Sequence, residues 1–174
     1  MQKIIEKVKK LKLLILDVDG VLTDGRLFFD DNGKEYKSFH ARDGHGIKLL
    51  RQTGVEVAII SGRKSNSVAL RMKSLGIEYV YQGHENKIAA FNEIIQSLSI
   101  EPEQVAHVGD DLLDLPVMTR VGLAIAVNDA NFAVREYADW CTETPGGMGA
   151  VREVCDFIMQ AQGTFDSVLK SYMQ

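Results

Sequence analysis

The sequence predicts an α/β fold with a parallel sheet covered by helices on both faces. Three observations lead there. Short apolar runs recur along the chain, helix-length amphipathic segments separate them, and turn residues close most of the runs. Runs this short and continuously apolar suit strands buried on both faces. Strand–helix alternation suits parallel neighbours joined by crossovers, giving a doubly wound, Rossmann-like sheet.

Taken in order, KLLILDVDG (residues 12–20) reads as a buried strand ending at a turn. EVAIISG (56–62), EYVYQG (78–83), QVAHVGD (104–110) and GLAIAV (122–127) repeat that form, and ADWCTE (138–143) is a weaker sixth case. Helical patterns lie between them at 43–54, 64–76, 86–98, 113–122 and 131–138, and a last helix is expected from Gly149 to Gln162. MQKIIEKVKK at the start reads as a short amphipathic helix, and the closing QGTFDSVLKSYMQ, only weakly amphipathic, is expected either to dock on a neighbouring chain or to be disordered. One segment breaks the alternation. RLFF and KEYKSF flank the turn signal DDNG, which predicts a β-hairpin inserted after the first strand, over about residues 25–40. That insertion is too short for a cap domain. With no repeat, no low-complexity tract and three prolines, residues 1–174 are expected to form one domain.

The composition is that of an ordinary globular protein, 45% hydrophobic and 25% charged. A net charge of -4 gives a nucleic-acid role no electrostatic support. The longest apolar runs are too short to span a bilayer, so no membrane partner is expected. Cys141 and Cys155 lack metal-ligand spacing and read as buried thiols in a reducing compartment, the cytoplasm.

Open parallel sheets place ligands beyond the carboxyl ends of their strands. Polar residues gather there in this chain: Asp17 and Asp19 after LLIL, Ser61, Gly62 and Arg63 after VAII, and Asp110, Asp111 and Asp114 after VAHVG. Lys87 opens the helix after the third run. Any one of these carboxylates could be a helix cap or turn former. Together they repel one another, and a cation resolves the repulsion. An all-oxygen donor set favours a hard ion, and Mg²⁺, which keeps waters and accepts phosphate oxygens, fits best.

DVDGVLT, Ser61, Lys87 and GDDLLD occur in the order of the four motifs of the haloacid dehalogenase superfamily, which the chain resembles. The resemblance implies a phosphomonoester hydrolase with Asp17 as nucleophile and Asp19 as general acid and base. It implies that Asp17, Asp110 and the Asp19 main-chain carbonyl hold Mg²⁺, with Asp111 and Asp114 either orienting metal-bound waters or Lys87, or serving as ligands themselves. Ser61 and Lys87 would bind phosphoryl oxygens, aided by N–H groups of the helix starting near Lys64. The intact Asp19 argues against a receiver-type domain with a long-lived phosphoaspartate. Intact Asp17, Asp19 and Lys87 argue against a non-catalytic oligomerisation module.

A finer likeness covers nearly the whole chain. DVDGVLTDG, the G-x-E-x-K-x-F strand, RDGHGIKLL, SGR, RMKSLGI, GDDLLDLPVM and PGGMGAVREVCDFIMQAQG resemble the lid-less subgroup that contains the 3-deoxy-D-manno-octulosonate 8-phosphate (KDO 8-phosphate) phosphatases of lipopolysaccharide synthesis. A nine-carbon sugar-acid phosphate of the sialic-acid type is the alternative substrate. By position in this pattern, His40, Ala41, Arg42, Asp43 and Gly44 form a substrate loop, joined by Lys48, Gly62, Arg63 and Arg71. Arg can grip the substrate carboxylate with two parallel hydrogen bonds. Plainer readings exist: His40 could cap the hairpin, and Lys48 and Arg71 could lie on a solvated helix face. Without a lid the site is open, and the hairpin bears Leu27, Phe28, Phe29, Tyr36 and Phe39. These could pack on their own domain. Their density instead predicts a homo-oligomer, by resemblance a tetramer, with hairpins near neighbouring sites.

Overall fold

The computed structural model describes residues 2–173. Among these residues eight strands and eight α-helices follow in order: α1 (Gln2–Val8), β1 (Leu13–Leu16), β2 (Phe28–Phe29), β3 (Glu35–Tyr36), α2 (Ala41–Gln52), β4 (Glu56–Ser61), α3 (Asn66–Leu75), β5 (Tyr79–Gln82), α4 (Lys87–Leu98), β6 (Val105–Gly109), α5 (Leu115–Met118), β7 (Leu123–Ala126), α6 (Phe132–Tyr137), β8 (Trp140–Cys141), α7 (Ala150–Ala161) and α8 (Phe165–Ser171). Six strands form one parallel sheet in the order β5-β4-β1-β6-β7-β8. The chain winds outward from β1 in both directions, so the topological switch point lies beside β1, between β4 and β6.

The buried strand LLIL shows why both faces are covered. Leu14 and Leu16 face a large core shared with residues of α2, α3 and α7, while Leu13 and Ile15 face a smaller core built on Ala90, Phe91 and Ile94 of α4. Strand side chains alternate, so a continuously apolar strand needs a helical layer on each side. Leu16 pairs with Ile59 of β4 and Val108 of β6, which aligns the carboxyl ends of the three central strands.

The hairpin is small. Phe28 pairs with Tyr36 and Phe29 with Glu35. Asp30 Oδ1 accepts the N–H groups of Asn32 (3.0 Å) and Lys34 (2.8 Å), and Gly33 takes the left-handed φ of 76° that closes the turn. Leu27, Phe28, Phe29 and Tyr36 are exposed, whereas Phe39 packs on the main core.

Four expectations are corrected. The helix expected over 113–122 is α-helical only over Leu115–Met118, preceded by a 3₁₀ turn at Leu112–Asp114. Pro116 fits the first turn, and Arg120 and Val121 are needed to turn the chain into β7. The helix expected near Lys64 begins at Asn66, because Ser65 keeps an extended backbone. The weakly amphipathic tail forms α8, whose Phe165 and Val168 pack on the main core. Cys155 is buried, but Cys141 is only half-buried.

Candidate active site

The site grows from the carboxyl end of β1. Asp17 N–H donates to Val108 O at 3.1 Å, which extends the ladder one residue and buries the Asp17 side chain. The chain then turns sharply. Thr23 Oγ1 accepts the N–H groups of Gly20 (3.3 Å) and Gly25 (3.2 Å) and donates to Val18 O (3.4 Å), clamping the loop. Gly20 has φ 86°, and a Cβ there would lie 2.0 Å from Asp110 Oδ2. Only glycine lets the two loops approach this closely.

Asp110 and Asp111 follow β6. Their N–H groups donate to Asp114 Oδ2 at 3.0 and 3.3 Å. Asp114 Oδ1 accepts Lys87 Nζ at 2.7 Å and lies 2.8 Å from His107 Nε2. Each Asp114 oxygen thus has two partners. Lys87 Nζ also reaches Asp17 Oδ1 at 2.9 Å. The burial of Lys87 follows from topology: it opens α4, His107 lies in β6, and both face the carboxyl end of the sheet where Asp114 turns back.

Carboxylate oxygens of Asp17, Asp110 and Asp114 lie within 4.8 Å of one another. Burial, with repulsion from Asp114, pushes Asp17 up to about 7 against the pull of Lys87. Burial and the neighbouring Asp17, Asp114 and Asp111 push Asp110 up to about 8. Asp114 goes the other way: burial would raise it, but His107 and Lys87 hold it well below the usual carboxylate range. Burial opposes a charge on Lys87, yet Asp17 and Asp114 outweigh it and keep the ammonium form. Burial lowers His107, so its neutral ring donates Nε2–H to Asp114. Asp17 and Asp110 therefore carry unrelieved carboxylate strain, and an all-oxygen pair of this kind fits a hard divalent cation.

Asp17, Asp19, Ser61, Gly62, Arg63, Lys87, Asp110, Asp111 and Asp114 line one cavity of about 320 Å³. Ser61 is buried, and its Oγ accepts Arg63 N–H at 3.3 Å. The Arg63 side chain is half-exposed and bonds Glu35 of the hairpin, with Nε 3.9 Å from Asp19 Oδ2.

The remaining expected substrate residues lie elsewhere. Among the described residues, the lining of this cavity does not include His40, Ala41, Arg42, Asp43, Gly44, Lys48 or Arg71. His40 is the N-cap residue of α2, without a side-chain capping bond. Asp43 is buried and accepts Arg152 N–H at 2.8 Å, joining α2 to α7. Arg71 lies over Phe39, 6.0 Å from its ring centroid, and against Gly44, where a Cβ would sit 2.1 Å from the guanidinium. Lys48 is one turn further along the same helix.

Sequence reasoning assigned no role to three residues, and read the PGGMG loop chiefly as the start of the last helix. The Lys37 side chain is buried, bonds Asp19, and lies 2.8 Å from Glu35. The alternating E-x-K that begins in β3 and ends one residue beyond it was the available signal. His107 stood in the sequence as a lone polar residue within an apolar strand. Thr23 ends the DVDGVLT run. The PGGMG loop packs directly on the site's first loop: a Cβ at Gly146 would fall 1.7 Å from Gly20 O.

The comparisons agree with this geometry. The haloacid dehalogenase-like hydrolase family matches residues 74–154. The 3-deoxy-D-manno-octulosonate 8-phosphate phosphatase KdsC of Escherichia coli K12 is 51% identical over 163 residues, covering 94% of this chain and 87% of that protein. A crystal structure of a probable YrbI family phosphatase from Pseudomonas syringae superposes with a TM-score of 0.98 at 48% identity, covering 100% of this chain and 99% of the other. The Moraxella catarrhalis 3-deoxy-D-manno-octulosonate 8-phosphate phosphatase, solved with magnesium, phosphate and KDO, gives 0.96 at 40% identity, covering 99% of each chain. This chain belongs to the haloacid dehalogenase-like hydrolases, in the family of the 3-deoxy-D-manno-octulosonate 8-phosphate phosphatases.

Proposed function

We propose that this chain is a Mg²⁺-dependent phosphatase that converts KDO 8-phosphate to KDO and inorganic phosphate. One observation carries the reading: a buried Asp17 beside Asp110, fixed by Lys87 in a cavity open to solvent, within a chain half identical to KdsC.

The chemistry follows from the residues. Asp17 attacks phosphorus; the bond to the sugar oxygen breaks, and its electron pair leaves with that oxygen. Asp19 supplies the proton that the leaving oxygen takes up. In the second half, Asp19 removes a proton from water, which attacks phosphorus and frees Asp17. Lys87, Ser61 and the Gly62 main chain hold the phosphoryl oxygens. Bound Mg²⁺, held by Asp17, Asp110 and the Asp19 main-chain carbonyl, offsets the repulsion between carboxylate and phosphate. With both oxygens already engaged, Asp114 serves as organiser of Lys87 and of the Asp110–Asp111 main chain, and is not a metal ligand.

Arg63 grips the carboxylate of the sugar acid. His40, Ala41, Arg42, Lys48 and Arg71, all at least partly exposed, complete the site of a neighbouring chain in a homotetramer, while the buried Asp43 and Gly44 support them from within α2. Their absence from the lining of their own cavity and the exposed hairpin aromatics both support that reading. The 174-residue chain acts as one catalytic unit, and its two free cysteines suit the cytoplasm.

Initial rates on a panel of sugar phosphates, read as released phosphate, test the reading. The expected result is a kcat/KM for KDO 8-phosphate at least about tenfold above that for a nine-carbon sugar-acid phosphate. The reverse preference would overturn the substrate.

A further inference from the structure

Asp19 is half of the proposed chemistry, yet nothing in its own loop orients it. The loop's internal hydrogen bonds run through Thr23 and the main chain and leave the Asp19 carboxylate to other partners. A carboxylate torsion is soft and roughly two-fold, so a free Asp19 could present either oxygen, or swing away.

The hairpin supplies the missing constraint. Strand alternation puts Tyr36 of β3 on the exposed face and turns Glu35 and Lys37 the other way, onto the loop after β1. The Lys37 side chain is only 1% exposed, and its ammonium bonds Asp19 Oδ1 and lies 2.8 Å from Glu35 Oε1. A buried ammonium is costly unless paired, so it stays where its two carboxylates are. The Asp19 Oδ2 atom remains on the side of Arg63, whose Nε is 3.9 Å away and whose side chain lines the cavity.

We propose that Lys37 is a positioning residue for Asp19. It holds Oδ1 and thereby leaves Oδ2 to exchange the proton with the leaving oxygen and then with water. The hairpin so becomes part of the catalytic apparatus, since its docking sets the orientation of the proton donor. The proposal rests on the reading of Asp19 as proton donor given above.

The test compares leaving groups. A primary sugar alkoxide needs a proton as it departs, whereas 4-nitrophenolate leaves well without one. The value of kcat/KM covers the steps through departure of the leaving group, so it isolates the first half-reaction. It is measured for KDO 8-phosphate and 4-nitrophenyl phosphate at saturating Mg²⁺ with wild type, Lys37→Met, Lys37→Arg and Asp19→Asn. Lys37→Met is expected to lose about thirtyfold on the sugar phosphate and at most about threefold on the aryl phosphate, a fraction of what general acid catalysis supplies. Lys37→Arg should restore most of the sugar phosphate activity, and Mg²⁺ affinity by calorimetry should stay unchanged. Equal losses on both substrates, or no loss on the sugar phosphate, would overturn the proposal. If Lys37→Met does not fold, Lys37→Gln replaces it, with the same expected loss and the same overturning results. Asp19→Asn separates the two layers. If it shows the leaving-group contrast and the Lys37 variants do not, the Lys37 role alone is wrong. If Asp19→Asn shows no contrast, the proton-donor reading falls, and the Lys37 role falls with it.

Discussion

Mg²⁺ binding should be steeply pH-dependent, and the size of the effect can be worked from the two carboxylates that receive the ion. Burial and mutual repulsion raise Asp17 to about 7 and Asp110 to about 8 in the metal-free protein. A cation needs both ionised, so binding must expel whatever protons they hold. With these values the doubly ionised fraction falls about tenfold from pH 8 to 7 and about fiftyfold from pH 7 to 6. The apparent Kd should rise by the same factors. Isothermal titration in buffers of different ionisation enthalpy measures both quantities. It should find between one and two protons released per ion at about pH 6.5. The same groups set the metal-free stability. Their folded pKa values lie above the ordinary 3.8, so their contribution is fully present below about pH 4 and is lost as pH rises through 7 and 8. Asp114, shifted downward, acts oppositely: its contribution is present above about pH 4 and lost in stronger acid. Metal-free protein should therefore melt lower at pH 8.5 than at pH 5.5, and Mg²⁺ should restore most at the alkaline end. A Kd that changes less than about threefold between pH 6 and 8, with no buffer-dependent heat, would refute the carboxylate-strain argument.

Three further outcomes follow from the same geometry. Gly20→Ala places a Cβ 2.0 Å from Asp110 Oδ2 at φ 86°, so it should cost roughly 1–2 kcal/mol in thermal unfolding and at least about tenfold in Mg²⁺ affinity; unchanged affinity by calorimetry would deny that the two loops form one metal site. Arg63→Ala should lower kcat/KM on KDO 8-phosphate by about thirtyfold, the worth of a charged hydrogen bond near 2 kcal/mol, with little effect on 4-nitrophenyl phosphate. An equal loss on both would place Arg63 at the phosphate. Phe28→Ser with Phe29→Ser should reduce the sedimentation coefficient below that of the proposed tetramer and depress sugar phosphate turnover, because both rings are exposed in the single chain; an unchanged coefficient would remove the hairpin from the interface.

The sheet and the strand-end carboxylates were legible because each is a local pattern. An apolar run buried on both faces announces a strand, and the residue just past it announces the ligand end, as LLIL followed by Asp17 does. The hairpin turn was legible from DDNG for the same reason. Pairings across distant segments were not. Lys37 meets Asp19 across 18 residues because the hairpin folds back, and no local periodicity states where a two-residue strand will dock. His107 meets Asp114 because β6 and the following turn bring them together, although an isolated histidine in an apolar strand reads equally well as core. The short α5 escaped because its amphipathic pattern continues beyond the point where the chain must enter β7. The loop expected at His40–Gly44 is instead the N-cap and first turn of α2, and it marks a different limit: composition and spacing describe one chain, and the proposed role of its exposed residues lies in a neighbour.

The covalent role of Asp17 is the centre of the account. Mixing enzyme with KDO 8-phosphate, quenching in acid within the first turnover and reducing with borohydride converts a phosphorylated aspartate to homoserine. Peptide mass spectrometry should then find homoserine at residue 17 in the wild type, and none in Asp17→Asn, which should release no phosphate. Rapid phosphate release with no modified residue, or with the modification at another aspartate, would contradict the account.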